Sequence, residues 1–201
     1  MLSRLIPIAL AACLCAGAAV AQNAAPTRIR GTIAAVEGNT ISVSTREGPK
    51  VDVLLNDPLT VSTVKKVDLA DIKPGTYVGI ATRTGADGGM QALEVLVFPE
   101  TMRGAGEGYY AWDLEPGSMM TNGTVTGAVE ATSGRELSLS FKGESNKIVV
   151  PSGTPIVTFA PAERADLTPG APIFLIAPKN AEGKLAVSRV TVGKDGVAPP
   201  M

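Results

Sequence analysis

The side chains best suited to recognition lie together in one segment of the sequence, residues 99–122. This segment contains Tyr109, Tyr110 and Trp112, which are two of the three tyrosines and the only tryptophan of the chain. Aromatic side chains beside an arginine are typical of contact surfaces, where they bury a large area. We therefore predict that this segment binds a partner, either a protein or another component of the cell envelope. The candidate contact residues are Arg103, Glu107, Tyr109, Tyr110, Trp112 and Asp113.

The same aromatic side chains have a second interpretation, in which they fill the space between two folded units. The whole chain is poor in aromatics, at 4%, and a connection of about 25 residues calls for a functional or a packing reason. Trp112 could anchor such an interface while Tyr109 and Tyr110 face outward. The sequence leaves both interpretations open.

Three methionines of this segment, Met102, Met119 and Met120, suggest a second function. Thioether sulfur is a ligand for cuprous copper, and it is the soft ligand left to a chain that has no histidine and whose two cysteines, Cys13 and Cys15, lie in the first 21 residues. The alternative hypothesis is therefore a periplasmic metal-handling accessory protein that binds Cu(I) through these side chains. Methionine also fills irregular gaps in a core, so packing is the competing explanation.

The composition argues against several classes of function. With no histidine, the chain cannot form a Ser-His-Asp relay or a His-bound zinc site. Eighteen Lys and Arg balance 19 Asp and Glu, which gives no basic field for nucleic acid. The glycine-rich stretch at residues 104–108 has no Lys-Ser/Thr ending of a phosphate loop. We expect a protein that is not an enzyme, with no catalytic residue and no cofactor.

Residues 1–21 have the pattern of an export signal. Arg4 precedes an uncharged run of apolar and small residues, and Ala19-Val20-Ala21 fits a small-x-small cleavage site. This pattern predicts a periplasmic protein. Cys13, at the end of Leu10-Ala11-Ala12-Cys13, offers a different outcome, because lipidation there would make an outer-membrane lipoprotein.

The remaining sequence contains an internal repeat. The stretch that begins at Gly31 matches, without a gap, the stretch that begins at Gly127, and two further blocks follow in the same order. These blocks are Asp71–Gly75 with Asp166–Gly170, and Asp87–Val97 with Glu182–Val192. We predict a first repeat at residues 27–98, a linker at 99–122, a second repeat at 123–193 and a tail at 194–201.

Each copy is predicted to form about five short β-strands. Residues 40–45 alternate Ile and Val with Ser and Thr, and Pro74-Gly75 predicts a tight turn. Five strands in about 70 residues are typical of a small Greek-key barrel of the OB type. The expected fold is all-β, with two tandem OB-like barrels joined by a structured linker. Two small sheets packed as one sandwich are the alternative.

The linker also carries a family resemblance. Arg103-Gly104-x-Gly106-Glu107-Gly108, followed by Trp112-Asp113-Leu114 and Met119-Met120-Thr121-Asn122, resembles the inter-repeat signature of an uncharacterised bacterial periplasmic family of tandem OB-like domains. The resemblance covers most of the chain after residue 21. It implies a fold and brings no established activity.

Overall fold

The computed structural model describes residues 26–131 and 134–199 as β-strands joined by turns and three short 3₁₀ helices. The predicted export signal, with Cys13, lies outside the described residues. The all-β prediction is confirmed. None of the helical turns in the described part has the length and apolar character needed to cross a membrane. The strands are β1 Thr27–Glu37, β2 Thr40–Thr45, β3 Lys50–Lys66, β4 Tyr77–Thr84, β5 Met90–Val97, β6 Gly108–Ala111, β7 Met119–Ala131, β8 Gly134–Phe141, β9 Glu144–Pro151, β10 Ile156–Pro161, β11 Pro172–Ala177 and β12 Ala186–Val192.

The strands form where apolar and polar residues alternate. In β2 the side chains of Ile41 and Val43 are fully buried, and in β8 those of Leu137 and Leu139 are too. Alternate residues of a strand point to opposite faces, so this pattern buries one face of each strand. The predicted turn at Pro74-Gly75 is present, and Gly75 has a φ of 93°, which a type II turn requires at that position.

Five strands close into a barrel in the order β1–β2–β3–β12–β11. All neighbours are antiparallel except β3 and β12, which run parallel and complete the ring. The barrel interior is a cluster of buried aliphatic side chains from every strand. These include Ile29, Ile41, Val53, Leu175 and Val190.

A second ring of paired strands follows the order β4–β5–β9–β8–β7. It is completed by a short parallel contact, in which Met90 pairs with Ile148 and Gln91 with Val149. Its interior is a separate apolar cluster that includes Ile80, Val95 and Leu139. Strand β10 joins the barrel to this ring, because it pairs with β3 on one side and with β5 on the other.

The pairing crosses the predicted limits of the repeats. From the sequence we expect each repeat to close a barrel of its own. In the structure the barrel takes β1, β2 and β3 from the first half of the chain and β11 and β12 from the second. The second ring takes β4 and β5 from the first half and β7, β8 and β9 from the second. Alternation predicts which face of a strand is buried, but it does not specify the neighbouring strand.

The register also differs from the ungapped sequence match, which aligns Gly31 with Gly127. A Cβ atom on Gly31 would lie 2.2 Å from the carbonyl oxygen of Ser44, and one on Gly123 would lie 2.7 Å from that of Ser140. Both glycines precede a β-bulge, which follows Ile33 in β1 and Val125 in β7. Gly123 therefore occupies the place that the sequence match gives to Gly127, and the β7–β8 hairpin is longer than the β1–β2 hairpin.

Aromatic rings pack where the barrel and the second ring meet. The ring centroids of Tyr77 and Phe98 are 5.4 Å apart, and those of Phe98 and Phe159 are 6.2 Å apart. Phe98 and Phe159 also contact a small buried cluster of Val64, Leu96 and Val157. This junction supplies one side of the candidate site.

Candidate functional site

A groove of about 600 Å³ lies between the barrel and the second ring, next to the linker. We call it the interbarrel groove. Strands of both rings and the linker line it, so its shape depends on how the two halves of the chain pair. Its apolar lining includes Phe98, Tyr110, Trp112, Met120, Phe159 and Phe174.

Two pairs of strands, β1 with β11 and β7 with β4, form the two long walls of the groove, and the walls differ in chemistry. On the barrel side, Arg28 pairs with Ile176 across β1 and β11. On the opposite side, Asn122 pairs with Gly79 across β7 and β4. One wall thus carries a cationic and an aliphatic side chain, while the other carries an amide whose oxygen packs against Gly79. The charged side chain therefore lies on one wall of the groove and the amide side chain lies on the opposite wall.

Arginines of the barrel hold the linker in place. The Arg30 guanidinium is 2.8 Å from Asp113, and that of Arg28 is 3.7 Å from the same carboxylate. Arg28 also lies over the Trp112 ring, 4.1 Å from its centroid, at a distance suited to a cation–π contact. Arg46 donates hydrogen bonds of 2.9 Å to the backbone oxygens of Asp113 and Leu114. Burial lowers the pKa of Arg30, and Asp113 acts in the opposite direction.

Polar atoms at the linker side form a small network. The Asn122 amide nitrogen donates to the Tyr110 hydroxyl at 3.2 Å and to the Ala105 carbonyl at 3.1 Å. The Asn122 amide oxygen is buried and has no hydrogen-bond partner, and the same holds for the indole nitrogen of Trp112. Buried polar atoms are nearly always paired in proteins. Both atoms are closed off from solvent, so they are buried polar groups behind the groove lining rather than open contact points.

Tyr77 lies against the linker and has an altered acidity. Its hydroxyl donates to the Ala105 carbonyl at 3.2 Å, and its side chain is 3% exposed. Burial raises the pKa of Tyr77 to about 12, and the nearby Glu107 and Tyr110 reinforce the increase. The folded protein therefore keeps this proton at a pH where the unfolded chain, with a tyrosine pKa of about 10, has released it.

This shift predicts a loss of stability in alkali. The contribution of Tyr77 is fully present below pH 10 and is lost as the pH rises through about 12, because only the unfolded chain ionises between these values. Between pH 9 and pH 11 we expect a loss of about 1.4 kcal/mol from this group. Urea unfolding of the wild type and of Tyr77→Phe at both pH values measures it. An equal pH dependence in the two proteins would contradict the assignment.

The candidate residues predicted from the sequence fall into three groups. Tyr110 and Trp112 line the groove, whereas the charged residues Arg103, Glu107 and Asp113 do not. Tyr109 is 42% exposed and faces away from the buried interior. Arg103, Glu107 and Asp113 are engaged within the chain: Arg103 donates to Glu100 and to the Gly75 carbonyl, Glu107 accepts from the Lys142 amide, and Asp113 binds the barrel arginines.

The three methionines of the copper hypothesis are not brought to one place. Met102 and Met120 both line the groove. Met119 precedes Met120 in β7, so its side chain projects from the opposite face of the strand. Two thioethers, rather than three, thus reach the groove.

Several groove residues were not among the sequence candidates. Arg28, Phe174 and Arg189 come from the barrel strands β1, β11 and β12, and Asn122 comes from β7. The signal available for Arg28 was its spacing from Arg30, since two arginines two residues apart in a strand share one face. Phe174 and Arg189 carry no such signal.

Comparison of the chain with protein-family models, with curated proteins and with solved structures gives no match. The function proposed below rests on the chemistry of the groove.

Proposed function

We propose that this chain is an exported, non-enzymatic binding protein of the bacterial cell envelope, and that the interbarrel groove receives its ligand. The observation that carries the proposal is a groove of about 600 Å³ with a largely apolar and aromatic lining and a few polar side chains. Ligand sites are typically concave and apolar, with a few placed polar groups that fix orientation. Arg28 and Asn122 supply polar side chains to this lining.

The groove fits this role better than the outer face of the linker does. Of the aromatic linker side chains, Tyr110 and Trp112 line the groove, and Tyr109 stands alone on the outside. The charged linker residues Arg103, Glu107 and Asp113 already have partners within the chain. A partner at the outer face would have to break these contacts, whereas a ligand in the groove would not.

We also propose that the chain arose by duplication of one OB-like unit. Residues 27–97 form three strands, a 3₁₀ turn and two strands, and residues 119–192 form four strands, a 3₁₀ turn and two strands, so that β9 and β10 stand where the first half has the single long strand β3. The matching bulges in β1 and β7 and the matching close contacts of Gly31 and Gly123 support the proposal. The two units would then have exchanged strands, so that the groove lies between them.

The single tryptophan provides the test of the groove. Because Trp112 is the only tryptophan and lines the groove, its emission should change when an apolar ligand binds. We expect an apolar naphthyl probe to bind the wild type and to accept energy from Trp112. Ala105→Phe, which fills the groove from the linker, should weaken binding by about tenfold or more.

Ala111→Phe is the matched control, because Ala111 is an exposed linker residue that does not line the groove. It should bind the probe as the wild type does. Equal probe binding by wild type and Ala105→Phe, with both folded by circular dichroism, would overturn the proposal.

A further inference from the structure

The mouth of the groove carries positive charge that the chain does not neutralise. Arg28 and Arg189 both line the groove, and Ile176, which is 47% exposed, lies beside them at the same wall. Arg189 is exposed and forms no ion pair or hydrogen bond with the described residues. Asp113 is the carboxylate near Arg28, but it makes its shorter contact, 2.8 Å, with Arg30.

The Arg28 guanidinium stacks on Trp112 and has hydrogen-bond donors available for an anion. Its position over the Trp112 ring fixes its plane, and it makes no hydrogen bond with the described residues. A guanidinium on an aromatic face keeps its donors free at its edge, and these donors suit a carboxylate or a phosphate. A ligand with an anionic group is therefore favoured at this end of the groove.

Beyond the mouth the groove suits a hydrocarbon chain. Its lining there is aromatic and aliphatic, from Leu96, Phe98, Met102, Met120 and Phe159. A volume of about 600 Å³ has room for about twenty groups of the size of a water molecule.

An extended peptide fits the same groove less well. Peptides that bind to β-proteins commonly add a strand to an unpaired edge. Among the strands that line the groove, β11 has a free edge at Leu175, Ile176 and Ala177, because it pairs with β12 only at Ile173 and Phe174. This edge is short for an added peptide strand, whereas side chains line the whole groove.

From these observations we infer that the groove binds a single-chain amphiphile with an anionic head group. The head group lies between Arg28 and Arg189, and the hydrocarbon chain extends past Trp112 toward Asn122. A fatty-acid carboxylate and a phosphate monoester share this chemistry. The inference rests on the proposed function, because it names the ligand class of the same groove.

Four compounds with a ten-carbon chain test the inference on the full chain after residue 21: decanoate, decyl phosphate, decanol and decyltrimethylammonium. Each is titrated below its micelle concentration, with Trp112 emission and calorimetry as readouts. We expect the two anions to bind about tenfold more tightly than decanol, and the cation to bind least. The relative affinities of decanoate and decyl phosphate distinguish a carboxylate from a phosphate source.

Arg189→Gln is the informative variant, because the exposed Arg189 side chain forms no ion pair or hydrogen bond with the described residues. This substitution should weaken the binding of the two anions about tenfold and leave the binding of decanol unchanged. Arg83→Gln is the control, because it removes an arginine outside the groove that donates a hydrogen bond to Gln91, and it should leave the affinities for all four compounds unchanged. Equal binding of decanol and decanoate, or an unchanged Arg189→Gln, would overturn the head-group inference while leaving the groove as a site.

Other outcomes separate the inference from the proposed function. If none of the four compounds nor the naphthyl probe binds, the proposed function fails as well. If the naphthyl probe binds and is displaced by an apolar peptide with a free carboxylate but not by decanoate, the groove is a peptide site and the amphiphile inference is wrong.

Discussion

Cutting the chain between Pro116 and Gly117 should leave neither half able to fold as a monomer. Residues 22–116 contain β1 to β5, which belong to two different rings. This fragment lacks β11 and β12 of the barrel and β7, β8 and β9 of the second ring. The other fragment lacks β1, β2 and β3 of the barrel and β4 and β5 of the second ring. Each ring would present unpaired strand edges and half of its apolar interior to water.

Mixing the two fragments should restore the fold. Circular dichroism and sedimentation of each fragment alone, and of an equimolar mixture, measure this. We expect the mixture to show β-structure at the mass of one chain. An isolated fragment should form β-structure only by concentration-dependent self-association, because each half contains strands of both the barrel and the second ring. A fragment that folds cooperatively as a monomer would show that each repeat closes its own barrel and that the exchange of strands is not required.

Much of the local structure could be predicted from the sequence. The alternation at residues 40–45 and the turn at Pro74-Gly75 predict β2 and the start of β4, because both signals involve neighbouring residues only. Within the predicted linker, Tyr110 and Trp112 line the groove. Local signals of this kind need no knowledge of the partner strand.

Strand β3 shows where local signals fail. Strand β3 contains Asn56-Asp57-Pro58, residues that are typical of a turn, and proline is excluded from most strand interiors. The structure continues β3 to Lys66. The pairing with β12 shifts between Leu55 and Thr60, and this irregularity accommodates Pro58 within the strand.

The groove could not be predicted because its residues come together through pairing between strands that are far apart in the sequence. Arg28 and Ile176 are far apart in sequence and become neighbours only when β1 pairs with β11. Nothing in the alternation of either strand specifies that pairing. The sequence therefore gave candidates within the linker, where the residues are contiguous, and missed the barrel wall that faces them.

Substitution of Gly31 by alanine should be the most damaging single change to the barrel. Its new Cβ atom would lie 2.2 Å from the Ser44 carbonyl oxygen and 2.9 Å from the Thr45 Cα, which are backbone atoms of the paired strand. Backbone cannot move aside as the end of a flexible side chain can, so the β1–β2 pairing must open. We expect a loss of about 3 kcal/mol or more in the free energy of unfolding.

Gly123→Ala and Gly127→Ala decide which glycine of the second half corresponds to Gly31. A Cβ atom on Gly123 would lie 2.7 Å from the Ser140 carbonyl oxygen, whereas one on Gly127 has its nearest neighbours, side-chain atoms of Ser138, at an ordinary 3.7 Å. In urea unfolding, Gly123→Ala should therefore lose about 2 kcal/mol or more and Gly127→Ala less than about 1 kcal/mol. The reverse order would favour the ungapped sequence match over the strand register, because the close contact would then belong to Gly127.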